Sequence, residues 1–191
     1  VSRMIELLLQ VHPAKPHRLL EIGTGCGYQA AVLSQVATEV FSMERLRGLH
    51  DKARENLRPM RIANLHLILG DGMLGYPQGA PYSGIIAAAG GEAVPQAWID
   101  QLAVGGRLVA PVSQGGTQQS LLVLDKTPRL TPRVMIYASF SATSVKPKHP
   151  TPLPFMSGAR VRCSFPKRSQ ISARNQRLKI LKREDLHLEE W

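Results

Sequence analysis

The sequence predicts a doubly wound α/β domain built on a mostly parallel sheet, and three observations carry that prediction. Strand-length apolar runs alternate with segments of helical periodicity. A glycine-rich turn, Gly23-Thr-Gly-Cys-Gly27, joins the first run to a helix. The alternation then continues as far as residue 125. A hydrophobic fraction of 43% over 191 residues is ample for one packed domain. The longest apolar windows, 85–89 and 121–124, fall far short of the roughly 20 residues that span a bilayer, so no membrane partner is expected.

Each element follows from local pattern. Residues 2–11 carry apolar side chains at helical spacing and stop at His12-Pro13. Residues 17–22 form a short apolar strand that runs into the glycine turn, and 29–36 a helix that packs on the sheet. Residues 39–43 make a second strand ending at Glu44. In the helix over 46–57, Lys52 attracts Glu55 while Asp51 repels it. Residues 65–69 form a third strand before Gly70-Asp-Gly72, and 82–87 a fourth. A short helix over 95–102 is expected to be capped by Gly105-Gly106. Residues 107–112 and 120–125 complete the sheet.

The pattern changes after about Arg133. Residues 141–170 are dense in Ser, Pro, Lys and Arg and read as a linker or a disordered tail, and 175–191 as a weak helix. The expected division is therefore a domain at 1–134 and a basic tail at 135–191. Charge agrees with it: residues 1–134 hold 13 Lys/Arg against 10 Asp/Glu, and 135–191 hold 11 against 4. The formal net charge of +10 thus belongs mostly to the tail, which lacks the interleaved aromatics of a single-strand binder. Nucleic acid is disfavoured as a partner. Cys26 and Cys163 lie in different regions and read as reduced thiols of a cytoplasmic protein that starts without a charged leader. No Cys/His cluster has metal-ligand spacing, and His12, His17, His50 and His66 are scattered.

The chemistry-bearing signal is Glu21-Ile-Gly-Thr-Gly-Cys-Gly27, between a strand and a helix. Glycines there permit a sharp turn and close approach of a ligand to backbone N–H groups. Nicotinamide and flavin enzymes use the same device, but with Gly-x-Gly-x-x-Gly spacing. Glu21, two residues before the first glycine, would repel a pyrophosphate and suits the cationic methionine end of S-adenosyl-L-methionine. Glu44 ends the second strand, where a carboxylate can accept both hydroxyls of a ribose. Asp71 ends the third, near the expected adenine, although an Asx turn is its simpler role. The candidate cofactor-binding set is Glu21, Gly23, Thr24, Gly25, Gly27, Tyr28, Gln29, Glu44, Arg45, Asp71 and Gly72.

Several of these segments occur together in one family. Leu20-Glu-Ile-Gly-Thr-Gly-Cys-Gly-Tyr-Gln-Ala30, Met43-Glu-Arg45, Gly70-Asp-Gly72, Pro95 with Gln101-Leu102, and Gly105-Gly-Arg-Leu-Val-Ala-Pro-Val112 resemble the protein-L-isoaspartate O-methyltransferases. The resemblance covers residues 1–125. It implies a Rossmann-like methyltransferase fold and methyl transfer from S-adenosyl-L-methionine to the α-carboxylate of L-isoaspartyl residues. The ester would collapse to a succinimide and so begin repair of damaged proteins, the expected partners of a monomeric enzyme. The chain departs from the family pattern at Cys26, where Ser is usual, at Tyr82-Ser83, where Phe-Asp is common, and after Arg133, where no closing strand is matched. The family's acceptor-side segment precedes the position of Val1, so no catalytic residue is assigned. Two other readings stay open: a methyltransferase acting on RNA or a small molecule, and a non-enzymatic remnant that still binds cofactor.

Overall fold

A computed structural model describes residues 1–12, 14–88, 90–113, 118–128 and 133–141. Its elements are α1 (Ser2–Leu9), β1 (Arg18–Ile22), α2 (Tyr28–Val36), β2 (Glu39–Glu44), α3 (Arg47–Leu57), β3 (Leu65–Leu69), β4 (Tyr82–Ala87), α4 (Gln96–Gln101), β5 (Leu102–Ser113), β6 (Gln118–Asp125) and β7 (Arg133–Ser141). They form a seven-stranded sheet in the order β3-β2-β1-β4-β5-β6-β7. Strands β1 to β5 pair in parallel, and β6 and β7 are antiparallel additions. This is the doubly wound, mostly parallel sheet that the alternation foretold.

Strand periodicity explains why both faces are covered. On β1, Leu19 joins the core formed with Leu7, Leu8 and Leu33, whereas Leu20 joins the opposite core around Trp98 and Leu102. Ile86 and Val109 share the first face, and Ile85 and Leu108 the second. Helix α3 places His50, Ala53 and Leu57 inward at helical spacing, and Ala53 and Leu57 meet Ala31 of α2. Among the described residues, no helix is long and apolar enough to cross a membrane.

Two expectations are corrected. Gly105-Gly106 does not cap α4, because β5 begins directly at Leu102. The orphan carbonyls at the end of α4 are met instead by Lys126, whose Nζ donates to Ile99 O (2.8 Å), Asp100 O (3.1 Å) and Leu102 O (2.7 Å). An ammonium at a helix C-terminus also opposes the negative end of the helix dipole. Lys126→Met should therefore cost about 1–2 kcal/mol of unfolding free energy, the range for losing charged hydrogen bonds at a half-buried site. Urea unfolding measures this, and no change would remove the capping role.

The second correction concerns the tail. The expected boundary at 134/135 falls inside β7, which pairs with β6 from Arg133↔Asp125 to Ser141↔Gln118. The run Val134-Met-Ile-Tyr-Ala-Ser-Phe140 is rich in β-branched and aromatic residues, a strand signal outweighed by the abrupt rise in charge. The expected linker beyond residue 141 and helix over 175–191 lie outside the described residues.

Candidate functional site

The chain direction reverses its spread between β1 and β4, and ligands of open α/β sheets bind at the carboxyl ends of strands near such a point. A cleft of about 700 Å³ opens there. Ile22 and Gly23 lie at the end of β1, Met43 to Leu46 at the end of β2, and Asp71 to Met73 after β3. The far wall comes from the loop over 90–95 and from Ala110, Pro111 and Val112 of β5. The loop is fixed by an isolated bridge between Gly91 and Val112 and by Ser113 N–H donating to Gly91 O at 2.9 Å.

The glycine turn is built from backbone and carboxylate together. Gly23 and Thr24 N–H groups both donate to Met43 O, at 2.9 and 3.1 Å, clamping the turn to β2. Gly25 has φ +57°, and a Cβ placed on it would meet nothing within 4 Å. It combines a left-handed conformation with open space above it, which suits a ligand lying on the backbone. Glu44 is buried, and its carboxylate accepts from Gly25 N–H (2.9 Å) and from Leu46 N–H (3.0 Å). Each carboxylate oxygen keeps a second lone pair for an incoming hydroxyl. Asp71 accepts from Met73 N–H at 3.0 Å, so the Asx-turn role holds at a residue that also lines the cleft. A Cβ on Gly72 would come to 2.5 Å from Ile22 Cγ2 and displace that side chain, and the Gly72 carbonyl receives the Trp98 indole N–H at 2.7 Å.

Of the expected site residues, Gly23, Glu44, Arg45, Asp71 and Gly72 line the cleft. Gly25 sits in the turn beside it, and Gly27 caps α2 with φ +90°. Tyr28 begins α2 with an exposed ring. Thr24, Gln29 and Glu21 do not reach the cleft; they are buried beneath the turn. Glu21 is fully buried, and desolvation pushes its carboxyl up to about 8, against the opposing hydrogen bond from Ser42. Expected to pair with a cationic ligand, that side chain lies in the interior, outside the cleft lining. The cleft still favours a cation, since among the described residues Glu44, Asp71 and Glu92 line it against Arg45 alone. Glu92 and the β5 wall were missed, and the signal for them is positional, because the loop after β4 must pass the same end of the sheet.

The family model described as protein-L-isoaspartate(D-aspartate) O-methyltransferase matches residues 1–138. The chain belongs to that family. A protein-L-isoaspartate O-methyltransferase from Methylibium petroleiphilum is 62% identical over 130 residues, covering 66% of this chain and 48% of its own length. One from Ralstonia nicotianae is 57% identical over 143 residues, covering 68% and 44%. A solved structure of a protein-L-isoaspartate O-methyltransferase aligns with TM-score 0.63 and 32% identity over 74% of this chain and 46% of the other. The chain thus spans about half the length of these relatives. The beta-aspartate methyltransferase of Plasmodium falciparum, in complex with S-adenosyl-L-homocysteine, aligns with TM-score 0.57 over 74% of this chain and 69% of its own. At 20% identity it shows likeness of fold alone.

Proposed function

We propose that the cleft binds S-adenosyl-L-methionine and serves methyl transfer to the free α-carboxylate of L-isoaspartyl residues in damaged cytoplasmic proteins, with the monomer as working unit. The observation that carries this reading is the junction of Gly25 and Glu44: an open, left-handed backbone position hydrogen-bonded to a carboxylate at the end of the next strand. Glu44 would hold the ribose hydroxyls and Asp71 would stand near the adenine. The excess of carboxylates would favour the cationic methionine end. When bound, the cofactor supplies an electrophilic sulfonium methyl. The acceptor carboxylate is already ionised at neutral pH, so the protein's task is alignment and exclusion of water rather than proton removal. The loop over 90–95, tied to β5 through Gly91, walls the cleft opposite the ends of β1 to β3 and would help to exclude water.

Two measurements test the reading. Isothermal titration should show binding of S-adenosyl-L-homocysteine and none of NADH. The protein should methylate an isoaspartyl peptide and ignore the matched aspartyl peptide, whose main-chain path lacks the extra methylene. Equal rates on the two peptides would overturn the substrate assignment.

A further inference from the structure

Glu21 was expected to meet the ligand, yet it faces away from the cleft while lying directly under the glycine turn. Its surroundings form a chain. The Ser42 hydroxyl donates to Glu21 Oε2 in a short hydrogen bond, which uses that hydroxyl's one proton. Thr24 Oγ1 lies 2.6 Å from Ser42 Oγ, which extends the hydroxyl contacts from the carboxyl to the turn. All three side chains are buried: Glu21 and Ser42 are at 0% exposure and Thr24 at 4%. We propose that Glu21 is a positioning residue: it holds the glycine turn against β2 through the Ser42 and Thr24 hydroxyls and does not act as a charged partner of the ligand.

The polar inventory around the carboxyl supports this. Oε1 has no hydrogen-bond partner, and neither do Nε2 and Oε1 of the buried Gln29 carboxamide on α2. The carboxamide favours the ionised carboxyl but makes no well-formed hydrogen bond to it. The charged group that acts on Glu21 is Glu44, on the next strand, and it opposes ionisation. Among the described residues, no cation contributes to its ionisation. A buried carboxyl with one hydroxyl donor, a like charge beside it and no counter-ion is cheapest as the neutral acid, and burial does raise its pKa to about 8. A neutral carboxyl still accepts from Ser42. Only its shape and its acceptor are needed for the turn.

The inference rests on the cofactor reading above, and its test separates the two. Glu21→Gln keeps the size and the acceptor but removes the charge; Glu21→Leu removes the acceptor as well. Affinity for S-adenosyl-L-homocysteine is expected to stay within about threefold in Glu21→Gln and to fall at least tenfold in Glu21→Leu. A tenfold or greater loss in Glu21→Gln would show that the charge is used and overturn the inference, leaving the cofactor reading intact. Failure of the unaltered protein to bind would sink the cofactor reading instead. A second readout needs no ligand and survives if Glu21→Leu does not fold. The unfolded carboxyl ionises near 4.5 whereas the folded one holds its proton up to about 8. The unfolded state thus binds fewer protons across that window, and this group's contribution to stability falls as pH rises from 4.5 towards 8. Glu21→Gln should remove that decline from the melting temperature measured against pH. An unchanged pH profile would show that Glu21 is ionised in the fold, against the proposal.

Discussion

Truncating Arg107 to alanine is expected to destabilise the domain by about 3–5 kcal/mol, near the lower end because its partner keeps some contact with water. Arg107 lies on β5 with its side chain 6% exposed, and Asp125 on β6 is at 22%. The pair is bidentate: Nε to Oδ1 at 2.6 Å and Nη2 to Oδ2 at 2.8 Å. The third nitrogen, Nη1, donates to Leu7 O at 2.8 Å, so one guanidinium joins α1 to both strands. Planar, five-donor geometry allows this, and a lysine would not reproduce it. At ~2–4 °C per kcal/mol for a chain of this size, the melting temperature should fall by roughly 10 °C. The loss in Arg107→Ala should overlap with that in Asp125→Asn, so that the double variant is less destabilised than the sum. Additive losses would show that the two side chains do not act as a pair. The cleft is lined further along β5, so cofactor affinity in the folded fraction should be unaffected.

How far the sequence anticipated these features depends on the distance over which each is determined. Strand alternation and the glycine turn are local, and their residues fall where the pattern puts them, with α1 stopping short at Leu9. Glu44 and Asp71 were legible because a strand end fixes position along the sheet axis. The orientation of Glu21 was not, since residues 21 and 22 alternate across the strand and only the assembled sheet decides which faces the ligand. Lys126 as the cap of α4 was hidden for a related reason: its partners lie some 25 residues back and meet it only after β5 and β6 have paired. Strand β7 was masked by composition, because the basic tail drew attention from a nine-residue run of good strand formers.

Gly25 offers the sharpest test of the site, because two different substitutions separate backbone strain from ligand contact. With φ at +57°, valine is expected to strain the turn by about 1–3 kcal/mol, and β-branched residues rarely tolerate that region. Loss of S-adenosyl-L-homocysteine binding by Gly25→Val would therefore be ambiguous by itself. Asparagine enters the left-handed region readily. The space beyond the Gly25 Cα is empty of protein atoms, so Gly25→Asn should fold with a melting temperature within a few degrees of the parent. Its side chain would then occupy the volume above the turn. If that volume belongs to the ligand, affinity should fall by about 100-fold or more although the fold is intact, equivalent to about 2.7 kcal/mol. The Glu44 contact to Gly25 N–H comes from the backbone and should survive, so the loss would report on the ligand's approach rather than on a collapsed turn. Near-parent affinity in a stable Gly25→Asn protein would place the ligand elsewhere and withdraw the glycine turn from the site.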